Sequence, residues 1–157
     1  MSEPGNSRMF ISFPTALMPN HVSNTVTISG DPEMIELLGK AVTSDEIPFD
    51  FERIIPKPPI VTHVSSDFIS SATMQSHPKR NAYDWQVANW GTKWNAYDFT
   101  ESGPTRFSFL TAWSPPLPVI ETLSDLFPEL DVTIEFQDEF DYESQILTFR
   151  NGVLIVS

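Results

Sequence analysis

The sequence predicts an α+β domain in which helices cover one face of an antiparallel sheet. Three observations carry that prediction. Several short segments alternate apolar and polar residues, two segments repeat apolar residues every three or four positions, and Pro, Gly and Asn-Gly mark the joins between them.

In chain order, residues 1–20 mix Met, Phe, Pro and Ser without a period and read as an N-terminal arm. Asn24 to Ser29 alternate, placing Val26 and Ile28 on one face of a strand. Gly30 turns the chain, Asp31 suits a helix N-cap and Pro32 the first helical position, where its missing N–H costs nothing. Met34, Ile35, Leu38, Ala41 and Val42 then form one stripe of a helix, with Glu33, Glu36 and Lys40 towards water. Residues 44–94 are less regular and read as a helical and loop insertion. Phe49 to Ile55 form a short extended piece framed by Pro48 and Pro56, and Ser65 to His77 form a polar, mobile loop. Ala82 to Trp90 read as a short helix closed by Gly91.

The second half is clearer. Ala96 to Glu101 and Thr105 to Trp113 flank Ser102-Gly103-Pro104 as a hairpin, with Phe107, Phe109, Thr111 and Trp113 on one face. Ser114 is expected to cap a helix opening with Pro115 and Pro116. Its core stripe is Val119, Ile120, Leu123, Leu126 and Phe127. Leu130, Val132, Ile134 and Phe136 alternate with acids and polar residues in another strand. Ile146 to Arg150 and Val153 to Val156 surround Asn151-Gly152, a pair suited to a tight hairpin turn. The resulting order is βαββαβ plus a C-terminal β-hairpin. That is the ferredoxin-like arrangement, with two helices on one face of a four-stranded sheet, in a single domain over residues 21–157.

Composition narrows the chemistry. A chain of 157 residues buries about two-thirds of its open-chain surface, so a sizeable core is available. The absence of Cys excludes disulfides, thiolate metal sites and Cys nucleophiles. No run approaches the roughly 20 apolar residues of a membrane span, and the first residues lack the blocks of a signal peptide, so a cytoplasmic protein is expected. With 9 Lys+Arg against 21 Asp+Glu, the net charge of −12 opposes direct binding to nucleic acid.

A family resemblance rests on Asp84-Trp85, Asn89-Trp90-Gly91-Thr92-Lys93-Trp94, Thr111-Ala112-Trp113-Ser114-Pro115-Pro116 and Phe127-Pro128, with Phe51 to Pro58 upstream. Together these blocks resemble the YubB ferredoxin-like domain family over roughly residues 22–140. The resemblance implies a small protein carried by bacteriophages and plasmids, acting in the cytoplasm of a bacterial host. It implies a ferredoxin-like fold and brings no catalytic residues.

Two groups of residues are candidates for function. Glu129, Asp131, Glu135, Asp138, Glu139, Asp141 and Glu143 dominate a stretch from Phe107 to Phe149 that contains no Lys or Arg. Gathered on one face, these carboxylates would make a protein-binding surface. In its sharper form that surface would imitate the phosphates of DNA, which come about every 1.7 Å of helix axis, and block a nucleic-acid enzyme. As a calcium site, Asp138, Glu139, Asp141 and Glu143 fail for want of the loop glycine and the distant bidentate Glu. Trp85, Asn89, Trp90, Lys93 and Trp94 form the second group, read either as core or as the lining of a small-ligand pocket.

RNA recognition through Phe107 and Phe109 fails on charge and on a missing glycine, and those rings read as core. His21, His63 and His77 fit no zinc spacing, and no phosphate-binding loop or nucleophile elbow occurs; a fold-assembled pair such as His63 with Asp67 is the remaining catalytic option. The expectation is therefore a non-enzymatic accessory protein without metal or cofactor, binding a host or phage protein through its acids. An enzyme or small-ligand receptor with a pocket near Trp85 to Trp94 is the alternative.

Overall fold

The computed structural model describes residues 20–59 and 78–156. Most of the N-terminal arm, the Ser65 to His77 loop, His63 and Asp67 lie outside them. Strand β1 spans His21–Ser29, beginning earlier than Asn24 because Val22 continues the alternation. Val22, Asn24, Val26 and Ile28 are buried, while His21, Ser23, Thr27 and Ser29 face outward. Gly30 sits at φ +140°, and a Cβ there would lie 2.5 Å from Leu130 Cδ2, so the turn presses directly on the start of a later strand. Helix α1 spans Pro32–Val42 and is capped as expected: the Asp31 carboxylate accepts from Met34 N at 3.2 Å. Ile35, Leu38 and Val42 are buried, whereas Ala41 is exposed.

The Phe49 to Ile55 segment is not extended. It forms a 3-10 turn over Phe51–Arg53 after Asp50, whose carboxylate accepts from Glu52 N. The turn drives Phe49, Phe51 and Ile54 into the core, where Phe49 stacks on Phe109 at 5.4 Å and Phe51 meets Trp90 edge-on at 5.6 Å. This part of the insertion therefore supplies core. Helix α2 spans Pro78–Trp90 and stops at Gly91, at φ +81°.

Strands β2 (Tyr97–Ser102) and β3 (Arg106–Ala112) form the expected hairpin. Helix α3 spans Leu117–Leu126, followed by β4 (Asp131–Asp138), β5 (Gln145–Arg150) and β6 (Val153–Val156). The sheet order is β2-β3-β1-β4-β5-β6, and every neighbouring pair is antiparallel. Its first four strands have ferredoxin-like connectivity, and the β5–β6 hairpin widens the sheet beyond β4. Asn151 and Gly152 turn that hairpin at φ 54° and 75°. One core joins the inner residues of the strands to Ile35 and Leu38 of α1, Trp90 of α2 and Val119, Ile120 and Leu123 of α3. Each such side chain contributes about 1.5–3 kcal/mol by leaving water.

Three local expectations at the start and end of α3 need correction. Ser114 does not cap the helix: Pro116 occupies the N-cap without a side-chain bond, and Ser114 Oγ donates to Gly91 O. Trp113 does not continue the inner face of β3, because its backbone turns to φ 80° and leaves its indole 45% exposed. Leu126 is 57% exposed, and Ser124 takes the buried position; its Oγ accepts from Gly152 N at 2.8 Å.

Candidate functional site

The sheet face away from the helices is polar. Its hydroxyls pair across strands, Thr25 with Ser108 at 3.1 Å and Thr133 with Thr148 at 2.9 Å. At one end of this face, where β1 begins and β4 ends, an exposed turn meets a half-buried arc of rings.

The first group is the turn after β4. Asp138, Glu139, Asp141 and Glu143 alternate with Phe140 and Tyr142, which are 73% and 100% exposed. Asp138 shapes the turn: its Oδ1 accepts from Phe140 N at 2.9 Å and its backbone O from Asp141 N at 2.9 Å. Gln137 Nε2 donates to Asp141 O at 2.9 Å and closes it. Large aromatic side chains among carboxylates are costly to leave in water and are the residue types that anchor protein interfaces.

The second group is an arc of rings. His21 Nδ1 lies 2.5 Å from the Tyr97 hydroxyl, and their rings meet edge-on at 5.7 Å. Tyr97 meets Trp94 at 5.9 Å. The Lys93 ammonium lies 5.0 Å from the Tyr83 ring centroid, 5.1 Å from Trp94 and 4.6 Å from Trp113. Burial, then the nearby Asp98 and Glu139 carboxylates, push the Tyr97 phenol above its ordinary value.

Asn20 and His21 fasten the two groups together. Asn20 Nδ2 donates to Asp138 Oδ2 at 2.5 Å, while Asn20 O accepts from Trp113 N at 2.9 Å. His21 N donates to Glu139 Oε1 at 2.5 Å, and Glu139 N donates to His21 O at 3.1 Å.

Residues 89–156 match the family model of a ferredoxin-like domain in Api92-like protein. The match begins in the last turn of α2 and includes Lys93, Trp94, Trp113 and the whole acidic turn; β1 and α1 lie before it. The strand connectivity agrees with the fold the match names. No curated protein matches the chain, and no solved structure does.

Of the seven acids singled out in the sequence, the structure brings together Asp138, Glu139, Asp141 and Glu143. Glu129 and Asp131 lie at the other end of β4, about 23 Å away at ~3.3 Å per residue. Asp131 is bound by Arg150 through contacts of 2.5 and 3.0 Å. Glu135 stands on the open face between the two ends and accepts from Ser144 Oγ at 2.7 Å. The seven acids thus do not form one patch; strand β4 spreads them along its length.

The tryptophan block also divides. Trp90 is buried, its Nε1 donating to Ile55 O at 2.8 Å, and Trp85 packs edge-on against it at 5.6 Å. Asn89 Nδ2 donates to Trp85 O at 2.9 Å, within the helix. These three belong to core and helix, and only Lys93 and Trp94 join the half-buried arc. Tyr83 and Trp113 complete the arc although sequence reasoning missed them in this role. Trp113 carried a usable signal, a large aromatic directly before Ser-Pro-Pro, where a strand must end. Tyr83 carried none, because only the packing of α2 brings it to Lys93. Phe107 and Phe109 are each 2% exposed and offer no stacking platform. Among the described residues, no helix is long and apolar enough to cross a membrane, and no His, Asp or Glu group has the geometry of a metal site.

Proposed function

We propose that the protein is a non-enzymatic binding module that engages a cationic segment of another protein through the acidic and aromatic turn at residues 138–143. The observation that carries this reading is the exposure of Phe140 and Tyr142 among four carboxylates, in a turn tied to the sheet through His21 and Asn20. Carboxylates attract Lys and Arg side chains, and rings beside them accept the same cations on their faces and bury apolar stems. A turn already fastened to a sheet loses little freedom when a partner docks.

The likeness to YubB proteins supports a phage or mobile-element origin, which makes a host or phage protein the natural partner in a bacterial cytoplasm. A nucleic-acid enzyme with a basic groove is its sharpest case, and DNA mimicry then rests on the four carboxylates of the turn extended by Glu135.

The test is affinity capture from host cells, followed by binding measurements with the recovered partner. Phe140→Ser combined with Tyr142→Ser, and separately Asp141→Asn combined with Glu143→Gln, should each weaken binding at least about tenfold. Raising salt from about 0.05 to 0.3 M should weaken binding of the wild type more than that of the charge variant. A partner held equally by both variants overturns the reading. Competition by duplex DNA for the same partner separates DNA mimicry from other protein binding.

A further inference from the structure

We propose that Tyr83, Trp94 and Trp113 form a receptor for an N-methylated ammonium group, and that Lys93 is its displaceable resident. The proposal stands apart from the acidic turn and draws on different side chains.

Three rings converge on one ammonium from three places in the chain: helix α2, the loop after it, and the residue following β3. Their centroids lie 5.0, 5.1 and 4.6 Å from Lys93 Nζ. Ring faces attract a cation through their quadrupoles, and a set of them surrounding one point is the arrangement that recognises alkylated ammonium ions.

The resident is poorly matched to this site. Among the described residues Lys93 Nζ has neither a carboxylate partner nor a hydrogen-bond acceptor. Lys57 shows the contrast: its Nζ lies 5.5 Å from the Trp90 ring centroid but also bonds Gln86 Oε1 at 3.2 Å and faces Glu52 at 3.4 Å. A primary ammonium in a ring of π faces keeps three N–H donors that the faces satisfy weakly, and it must give up strongly held water. A trimethylammonium has no N–H to satisfy and sheds its water easily, so the rings suit it better than they suit lysine.

The backbone is arranged so that the lysine can leave. Lys93 N donates to Ala112 O at 3.3 Å, and Lys93 O accepts from Gln86 Nε2, so the loop stays fixed while the side chain swings into water. Trp113 points the same way. A bulky residue at φ 80° is strained, and its 45% exposed indole gains too little burial to explain that strain. The turn places the indole over the ammonium, nearest of the three rings.

The probe is tetramethylammonium chloride, followed by indole fluorescence and by proton NMR at constant ionic strength. Wild type should bind it saturably, and Lys93→Ala should bind it at least about tenfold more tightly because no resident must leave. Trp113→Ala should lose at least about tenfold of the wild-type affinity. In wild type, the Lys93 Cε protons should resonate upfield under the three rings and return towards the position of free lysine as the probe saturates. That observation needs no variant and holds even if Lys93→Ala folds poorly. Choline and a trimethyllysine peptide, titrated alongside, identify a small-molecule or a modified-protein source by whichever binds more tightly. No saturable response to any of the three, or equal affinity in wild type and a folded Lys93→Ala, overturns the proposal.

Discussion

Tyr97 joins the ring arc to the acidic turn, and among the described residues its phenol is the group whose titration the fold plainly alters. Burial disfavours the tyrosinate first, and the Asp98 and Glu139 charges add to it, so the folded chain keeps this proton where the unfolded chain has lost it. Above about pH 10 the folded state therefore binds more protons than the unfolded state. The stability tied to this group is fully present below that pH and is lost as pH rises through the folded-state value. Tyr97→Phe should remove this part of the alkaline decline, and denaturant midpoints measured across the range test it. An alkaline slope unchanged in the variant would show that the phenol is not its source. Single residues also mark where local sequence rules stop. Trp113 alternates correctly with Phe107, Phe109 and Thr111, but period two says nothing about a backbone that turns to φ 80° one residue after the strand ends. Asp31 shows the converse: an N-cap is a contact between near neighbours, so its bond to Met34 N is legible in the residue order alone.

At the scale of elements, α3 separates what periodicity reveals from what packing decides. Val119, Ile120 and Leu123 lie in the core as their spacing predicts, yet Leu126 on the same stripe is exposed and Ser124 is buried. The β5–β6 hairpin is the reason. Its Asn151-Gly152 turn approaches α3 closely enough for Gly152 N to bond Ser124 Oγ, and a Cβ on Gly152 would stand 3.1 Å from Asp125 Cβ. The helix is thereby buried on a side that its own sequence does not mark as apolar. Leu123→Ala should cost about 2–5 kcal/mol by leaving a cavity under the sheet. Leu126→Ala should stay within about 0.5 kcal/mol, as surface changes do. Urea denaturation of the two variants decides between this burial pattern and the sequence stripe, which demands comparable losses. The candidate site was less legible for the same reason. The acids of the turn after β4 are close in sequence and could be read directly, whereas the rings around Lys93 come from positions 83, 94 and 113, which are united only where the loop after α2 bonds the end of β3 through Thr92 Oγ1 and Lys93 N to Ala112 O.

The whole molecule carries a net charge of −12, and few of the acids among the described residues are paired with a cation. Among the described residues the ion pairs are Lys40–Glu36, Lys57–Glu52, Arg106–Glu101 and Arg150–Asp131, so most acids have no cationic partner there. The Lys40, Arg106 and Arg150 side chains in these pairs are 73%, 55% and 55% exposed, and surface pairs of that kind contribute little. Like charges on a compact chain repel more than on an expanded one, so the folded state bears the larger cost. Raising ionic strength from about 0.01 to 0.1 M shortens the Debye length from about 30 to 10 Å and screens that repulsion. Stability should therefore increase with sodium chloride over this range, read as a rise in the thermal midpoint. If the ion pairs governed instead, the same titration would lower the midpoint, so the sign alone separates the two accounts. Asp141→Asn with Glu143→Gln should reduce the salt response, since those carboxylates stand beside Asp138 and Glu139 in one short turn. A protein that holds such charges together without local compensation gains stability when a cationic partner covers them, because the partner removes the repulsion as it binds.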